Sequence, residues 1–157
     1  MTGKQLLEII EKNYTVSAFG HDEMTETNEK VNITKEEETH GEELNKKRQD
    51  FFNTHLEELD YSERKKHPKN SEWEQMPNKW DYVRDLITSK IGLGKVIEVE
   101  QVGGEDEGST WYSIKHFVDH DVYIRTDGYY QSYNGTDFHD GHGHVVTPQQ
   151  RTITVFE

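Results

Sequence analysis

The sequence predicts an α+β domain, with helices over about 1–93 packed on an antiparallel sheet of four or five strands over about 95–157. Three observations carry that prediction. Apolar residues recur at helical spacing up to Gly92, and three Ser/Thr-x-x-Glu/Gln pairs mark helix starts. From Lys95 onward the period is two, and turn-forming residues divide the alternating segments.

Taken in order, Thr2 and Gln5 form the first capping pair, followed by the stripe Leu6, Ile9 and Ile10. Thr34 and Glu37 form the second, opening a helix with Leu44, Phe51, Phe52, Leu56 and Leu59 on one side. Ser71 and Glu74 form the third, ahead of Pro77. Trp80, Val83, Leu86 and Ile87 then repeat helically until Gly92, whose freedom at positive φ makes it a natural stop. The expected strands are KVIEVEQV, STWYSIKHF, DVYIRT and RTITVF. GGEDEG, residues 103–108, reads as a hairpin loop with a charged tip. Thr126-Asp127-Gly128 and Asn134-Gly135 read as tight turns.

With 157 residues the chain fits one domain, divided by its periodicity into a helical part, 1–94, and a sheet module, 95–157. The hydrophobic fraction is 31%, so the core is expected to be thin, with three Trp, eight Tyr and six Phe supplying much of its area. No cysteine is present, which excludes disulfides, thiolate metal sites and cysteine nucleophiles. No stretch approaches the roughly twenty apolar residues of a membrane span, and the N-terminus lacks the pattern of a signal peptide. A cytoplasmic protein is expected.

Charge is the strongest compositional signal. The sequence has 18 Lys plus Arg against 31 Asp plus Glu, a net of −13. Such a field repels phosphates and anionic lipid, so direct nucleic-acid or membrane binding is not expected. It favours a partner with a basic surface. Residues 21–43 concentrate the acid: nine carboxylates (Asp22, Glu23, Glu26, Glu29, Glu36, Glu37, Glu38, Glu42 and Glu43) and two lysines. That segment reads as an acidic loop or as the solvated start of a helix.

Catalytic signatures are weak. Gly92-Leu93-Gly94-Lys95 lacks the earlier glycine and the following Ser or Thr of a phosphate loop. No Gly-x-Ser-x-Gly elbow occurs, and carboxylates are too abundant for any pair to stand out. The sharpest chemical alternative is a metal site built from His139, His142 and His144 with Asp137 and Asp140. HFVDHD adds His116, Asp119, His120 and Asp121. The spacing is irregular and glycine-rich, which works against preorganisation. No cofactor is expected.

The stretch DGYYQSYNGTDFHDGHGH, 127–144, carries four aromatics and no Leu, Ile, Val or Met. On a strand, Tyr129, Gln131 and Tyr133 fall on one face while Tyr130, Ser132 and Asn134 fall on the other. Such tyrosines serve either cross-strand packing or a recognition surface. The pattern WYSIKHF, DVYIRTDGYYQSYNGTDF and VTPQQRTITVFE, covering about the last third, resembles the ending of small uncharacterised phage-encoded proteins. The resemblance implies a phage-type product, many of which inhibit host proteins, and it assigns no residue a role.

The leading expectation is therefore an interaction protein that blocks a host nucleic-acid-handling defence complex, such as a CRISPR effector or restriction enzyme, by acidic mimicry. Its contacts would come from Glu36, Glu37, Glu38, Glu105, Asp106 and Glu107, with Tyr129, Tyr130 and Tyr133 as anchors. The alternatives are a metal-dependent hydrolase or metal-binding protein using His139, His142 and His144, and a structural or regulatory phage protein.

Overall fold

A computed structural model describes residues 1–54, 75–104, 108–131, 135–139, 141–150 and 154–156. Among them, four α-helices precede one five-stranded antiparallel sheet, the α+β arrangement expected from the change of period. The helices are α1 (Gly3–Asn13), α2 (Val16–Gly20), α3 (Lys35–Thr54) and α4 (Lys79–Lys90). The strands are β1 (Val96–Gly104), β2 (Gly108–Phe117), β3 (Val122–Gln131), β4 (Gly135–Phe138) and β5 (His144–Val146). A single 3₁₀ turn, Val118–His120, joins β2 to β3.

Packing divides the chain differently from periodicity. One compact unit comprises Met1–Lys30 with Thr88–Glu157, and the other comprises Val31–Ile87. The first two helices thus belong with the sheet and not with the later helices. The reason lies in their apolar stripes. Leu6 and Ile10, one turn apart on α1, are fully buried and join Tyr14, Phe19, Met24, Leu93, Val96, Phe117 and Ile124 in one core. Its start is fixed as the sequence implies: the Thr2 N–H donates to Gln5 Oε1 at 2.9 Å, and the Gln5 N–H donates to Thr2 Oγ1 at 3.2 Å. Helix α2, which its five residues were too short to announce, is capped by Thr15 accepting from the Ala18 N–H at 3.1 Å. Its Gly20 lies so close to the Phe138 ring that a Cβ would collide with it.

The strand order is β1-β2-β3-β4, with β5 also pairing with β3. Strand β3 serves two partners on one edge. Tyr123, Ile124 and Arg125 pair with Val146, Val145 and His144, while Gly128 to Gln131 pair with Phe138 to Gly135. This corrects the turn expected at Thr126-Asp127-Gly128, which lies inside the strand. Gly128 is buried there because β4 passes close by: a Cβ would sit 2.8 Å from the Asp137 carbonyl. Strand β4 comes from the polar, glycine-rich stretch, where cross-strand pairing outweighs weak local propensity, and β5 starts at the end of that stretch with Val145 and Val146. The expected C-terminal strand is also corrected in part. Residues 151–153 lie outside the described residues, and Thr154–Phe156 are not in a strand, with Phe156 91% exposed.

In the second unit, the Thr34–Glu37 box opens α3: the Thr34 N–H donates to Glu37 Oε1 at 3.0 Å, and the Glu37 N–H to Thr34 Oγ1 at 3.1 Å. Gly41 is buried against Lys79 and Tyr82 of α4, and His40 meets the Tyr82 ring edge-on at 4.7 Å. Lys79 pairs with Glu42, and its N–H donates to Asn45 Oδ1 at 2.9 Å. Leu56, Leu59 and the Ser71–Glu74 box lie outside the described residues. The described start of α4 is capped by Asn78, whose Oδ1 accepts from the Asp81 N–H at 2.8 Å. Gly92, at φ +93°, ends the run after α4 as expected.

Candidate interaction surface

Opposite residues of antiparallel strands share a face, so the register sorts the sheet into two sides. One side faces the core: Val96, Glu98 and Gln101 of β1, Trp111, Ser113, Lys115 and Phe117 of β2, and Val122, Ile124, Thr126 and Gly128 of β3. The other carries Ile97, Glu100 and Val102, then Tyr112, Ile114 and His116, then Tyr123, Arg125, Asp127 and Tyr129. Val146 and His144 continue this second face on β5, and Asp137 on β4.

The second face is built from aromatic, aliphatic and charged groups that position one another. The His116 ring stacks on Tyr123 with centroids 4.1 Å apart and planes 3° from parallel, and its Nε2 lies 3.0 Å from Asp121 Oδ1. The Arg125 guanidinium sits 4.0 Å over the Tyr112 ring, and its Nε donates to Asp127 Oδ1 at 3.0 Å. The Tyr112 hydroxyl donates to Glu100 Oε1 at 2.9 Å, and that bond holds its proton above the usual tyrosine range. Val99, Glu100, Ile114, Tyr123, Arg125, Val146, Thr147, Pro148 and Gln149 line one groove across this face. Four carboxylates (Glu100, Asp121, Asp127 and Asp137) accompany a single arginine here, so the surface is acidic as well as aromatic.

Of the expected anchors, Tyr129 stands on this face and is 43% exposed. Tyr130 points to the opposite side, where it lines a cleft of about 220 Å³ with His21, Asp22, Glu98, Gln101, Trp111 and Thr136. That volume lies below the roughly 300–1,000 Å³ of small-molecule pockets, so the cleft suits no more than one side chain. Tyr133 and Glu105, Asp106 and Glu107 lie outside the described residues. Glu36 and Glu38 are exposed on the first turn of α3, whereas Glu37 is occupied in the capping box. The structure therefore does not bring Glu36 and Tyr129 into one unit.

The histidines take separate structural partners. His142 donates from Nε2 to the Tyr14 carbonyl at 2.7 Å, which fixes its tautomer, and its own carbonyl accepts from Thr126 Oγ1 at 3.0 Å. His144 Nδ1 is 4.0 Å from Asp127 Oδ2, and His139 is exposed with its N–H bonded to the Asp127 carbonyl at 3.1 Å. His120 reaches the Gly92 carbonyl at 3.1 Å, and Asp119 accepts from the Lys95 N–H at 3.0 Å. Among the described residues, no three His, Asp or Glu side chains gather where they could hold a metal ion.

Sequence reasoning missed Ile97, Val99 and Val102 as surface residues, although their alternation with Glu98 and Glu100 was a signal. It also missed the density of acid in the sheet unit. Residues 1–30 and 88–157 contain 8 Lys plus Arg against 17 Asp plus Glu, a net of −9, while 31–87 contain 10 against 14, a net of −4. No family model, curated protein or solved structure matches this chain.

Proposed function

We propose that this is a non-enzymatic binding protein: a phage-type inhibitor that occupies the basic, phosphate-binding surface of a host nucleic-acid-handling complex such as a CRISPR effector or a restriction enzyme. The observation that carries the reading is the net charge of −9 on the sheet-bearing unit, together with its open acidic and aromatic face. Carboxylates at Glu100, Asp121, Asp127 and Asp137 stand in for phosphates, and exposed Tyr129 adds apolar area with a hydroxyl at low entropic cost. The acids at Glu36 and Glu38 act at longer range, through steering.

The test is capture from bacterial lysate in the presence and absence of competing duplex DNA, followed by mass spectrometry and kinetics on the captured protein. The expected partner binds nucleic acid, loses this protein when DNA is added, and associates more slowly as salt rises. Glu36→Gln with Glu38→Gln should slow association with little change in dissociation, and Tyr129→Ala should do the reverse. A partner held equally at low and high salt, with DNA bound at the same time, would overturn the reading.

A further inference from the structure

Strand β1 is an unusual sheet edge. Among the described residues it pairs with β2 alone, and every residue from Ile97 to Val102 is exposed. Ile97, Val99 and Val102 are 42%, 50% and 39% exposed, far from the burial their side chains favour. Edge strands usually carry lysine, proline or short lengths that block pairing with other chains. Nine-residue β1 contains neither lysine nor proline. Among the described residues it is guarded by two bulges, at Val99 and Gly103, and by the carboxylates of Glu98 and Glu100. Gly103 is held at φ +97° against the Thr110 carbonyl, so its bulge is a fixed feature that ends the usable edge.

Charge decides what such an edge accepts. A second copy pairing antiparallel near Val99 would set Glu98 and Glu100 against the same residues, within units that each carry −9. That arrangement repels. A basic strand meets the opposite situation. On the open face β1 presents Ile97, Glu100 and Val102, an apolar–acid–apolar row, because the bulge at Val99 brings Glu100 onto the side of Ile97.

We infer that β1 is a strand-addition site for an extended basic segment of a protein partner, one whose every second residue, all on one face, runs apolar, Lys or Arg, apolar. The segment extends the sheet through backbone hydrogen bonds, sets apolar side chains beside Ile97 and Val102, and places a cation at Glu100. This rests on the proposed acidic binding function and names the element that performs it.

The test uses a synthetic Thr-Val-Thr-Lys-Thr-Val-Thr-Lys peptide, which sets Val, Lys and Val on one face, the same peptide N-methylated on alternate residues so that it cannot pair, and dilysine, which carries the same two cationic side chains. Binding is read by fluorescence anisotropy and by amide hydrogen exchange of the full chain. The unmodified peptide should bind at least about tenfold more tightly than either control, since backbone pairing supplies the difference. It should also slow exchange of the outward-facing β1 amides. Glu100→Lys, which sets like charge against the peptide lysine, should weaken binding of the unmodified peptide at least about tenfold while shifting the thermal midpoint only slightly. Equal binding of the methylated and unmodified peptides overturns strand addition, and the salt dependence of that binding then decides the acidic-surface reading separately. Protection of the outward β1 amides before any peptide is added, or a dimer in sedimentation that Glu100→Lys dissolves, also overturns it.

Discussion

At the scale of single residues, Tyr14 shows how one position serves several ends. Its ring is 1% exposed, its N–H closes α1 on the Ile10 carbonyl at 2.9 Å, and its carbonyl receives His142. Its hydroxyl is buried with no hydrogen-bond partner among the described residues. Burial, and secondarily the Asp22 charge, push its proton affinity well above the ordinary 10.0. A pKa raised in the folded state contributes stability that is fully present below the unfolded value and lost as pH climbs past it. Unfolding free energy should therefore fall above about pH 10, by up to about 1.4 kcal/mol per pH unit for this one proton. Tyr14→Phe should remove that component. At neutral pH it should be neutral or stabilising by up to about 1 kcal/mol, because it deletes a buried hydroxyl that lacks a partner. Urea titrations of both proteins at neutral and alkaline pH check this, and a variant that loses stability at neutral pH would mean that the hydroxyl has a partner. His142 teaches a related lesson. Its clustering with His139 and His144 offered it as a metal ligand, while its flanking glycines counted against a fixed site; the close approach of Gly143 to the Arg125 carbonyl in fact brings its imidazole to the end of α1. His142→Ala should cost about 1–2 kcal/mol in the same titration, because the Tyr14 carbonyl loses its donor.

At the scale of elements, the acidic segment 21–43 proves to be two things. Its first part is tied to the sheet unit: Met24 is fully buried, and Asn28 donates from its backbone to the Asn13 carbonyl at 2.7 Å and from Nδ2 to the Lys12 carbonyl at 3.0 Å. Its second part is the first turns of α3, where Glu36, Glu37 and Glu38 complement the helix dipole. Met24→Ala should therefore cost about 2–5 kcal/mol, while Glu23→Gln with Glu26→Gln should stay within about 0.5 kcal/mol each. Thermal denaturation separates these outcomes, and a harmless Met24→Ala would mean that the loop is not anchored. The same contrast explains what was legible beforehand. Helix starts were readable because a capping box is a local pattern, and Thr2–Gln5 and Thr34–Glu37 both form it. The change of period at Lys95 was readable because side-chain alternation is local too. Strand β4 was not, because only pairing with β3 makes a strand of so polar a segment, and β5 was not, because His144, Val145 and Val146 are too short a run to show alternation. Nor did periodicity show that α1 and α2 pack with the sheet, which depends on contacts distant in sequence. The open aromatic face was half legible. Alternation put Tyr129 and Gln131 together, but the bulge that turns Glu100 toward Ile97 depends on the register with β2.

For the whole molecule, one charge distribution should act in opposite directions on two measurable quantities. With 31 acids against 18 bases, folding draws like charges together, and this self-repulsion opposes the compact state. The sheet unit bears most of it, at −9 over 100 residues. Among the described residues, Asp127 has a cation in hydrogen-bonding range, the Arg125 guanidinium at 3.0 Å. Salt shortens the screening length from about 30 Å at 0.01 M to about 8 Å at 0.15 M, so repulsion between exposed acids fades over that range. The thermal midpoint of the free protein should therefore rise as sodium chloride increases from about 0.01 to 0.15 M. Binding to a basic partner or to the lysine-bearing peptide should weaken over the same interval, because attraction is screened by the same ions. Glu100→Lys should flatten the binding dependence strongly and the stability dependence only slightly, as it changes one contact but only two units of a large net charge. Scanning calorimetry and anisotropy across one salt series test both halves. A midpoint that falls with salt would mean that specific ion pairs, and not net repulsion, dominate the electrostatics of the fold. The acid would then be a structural feature and not a surplus held for a partner.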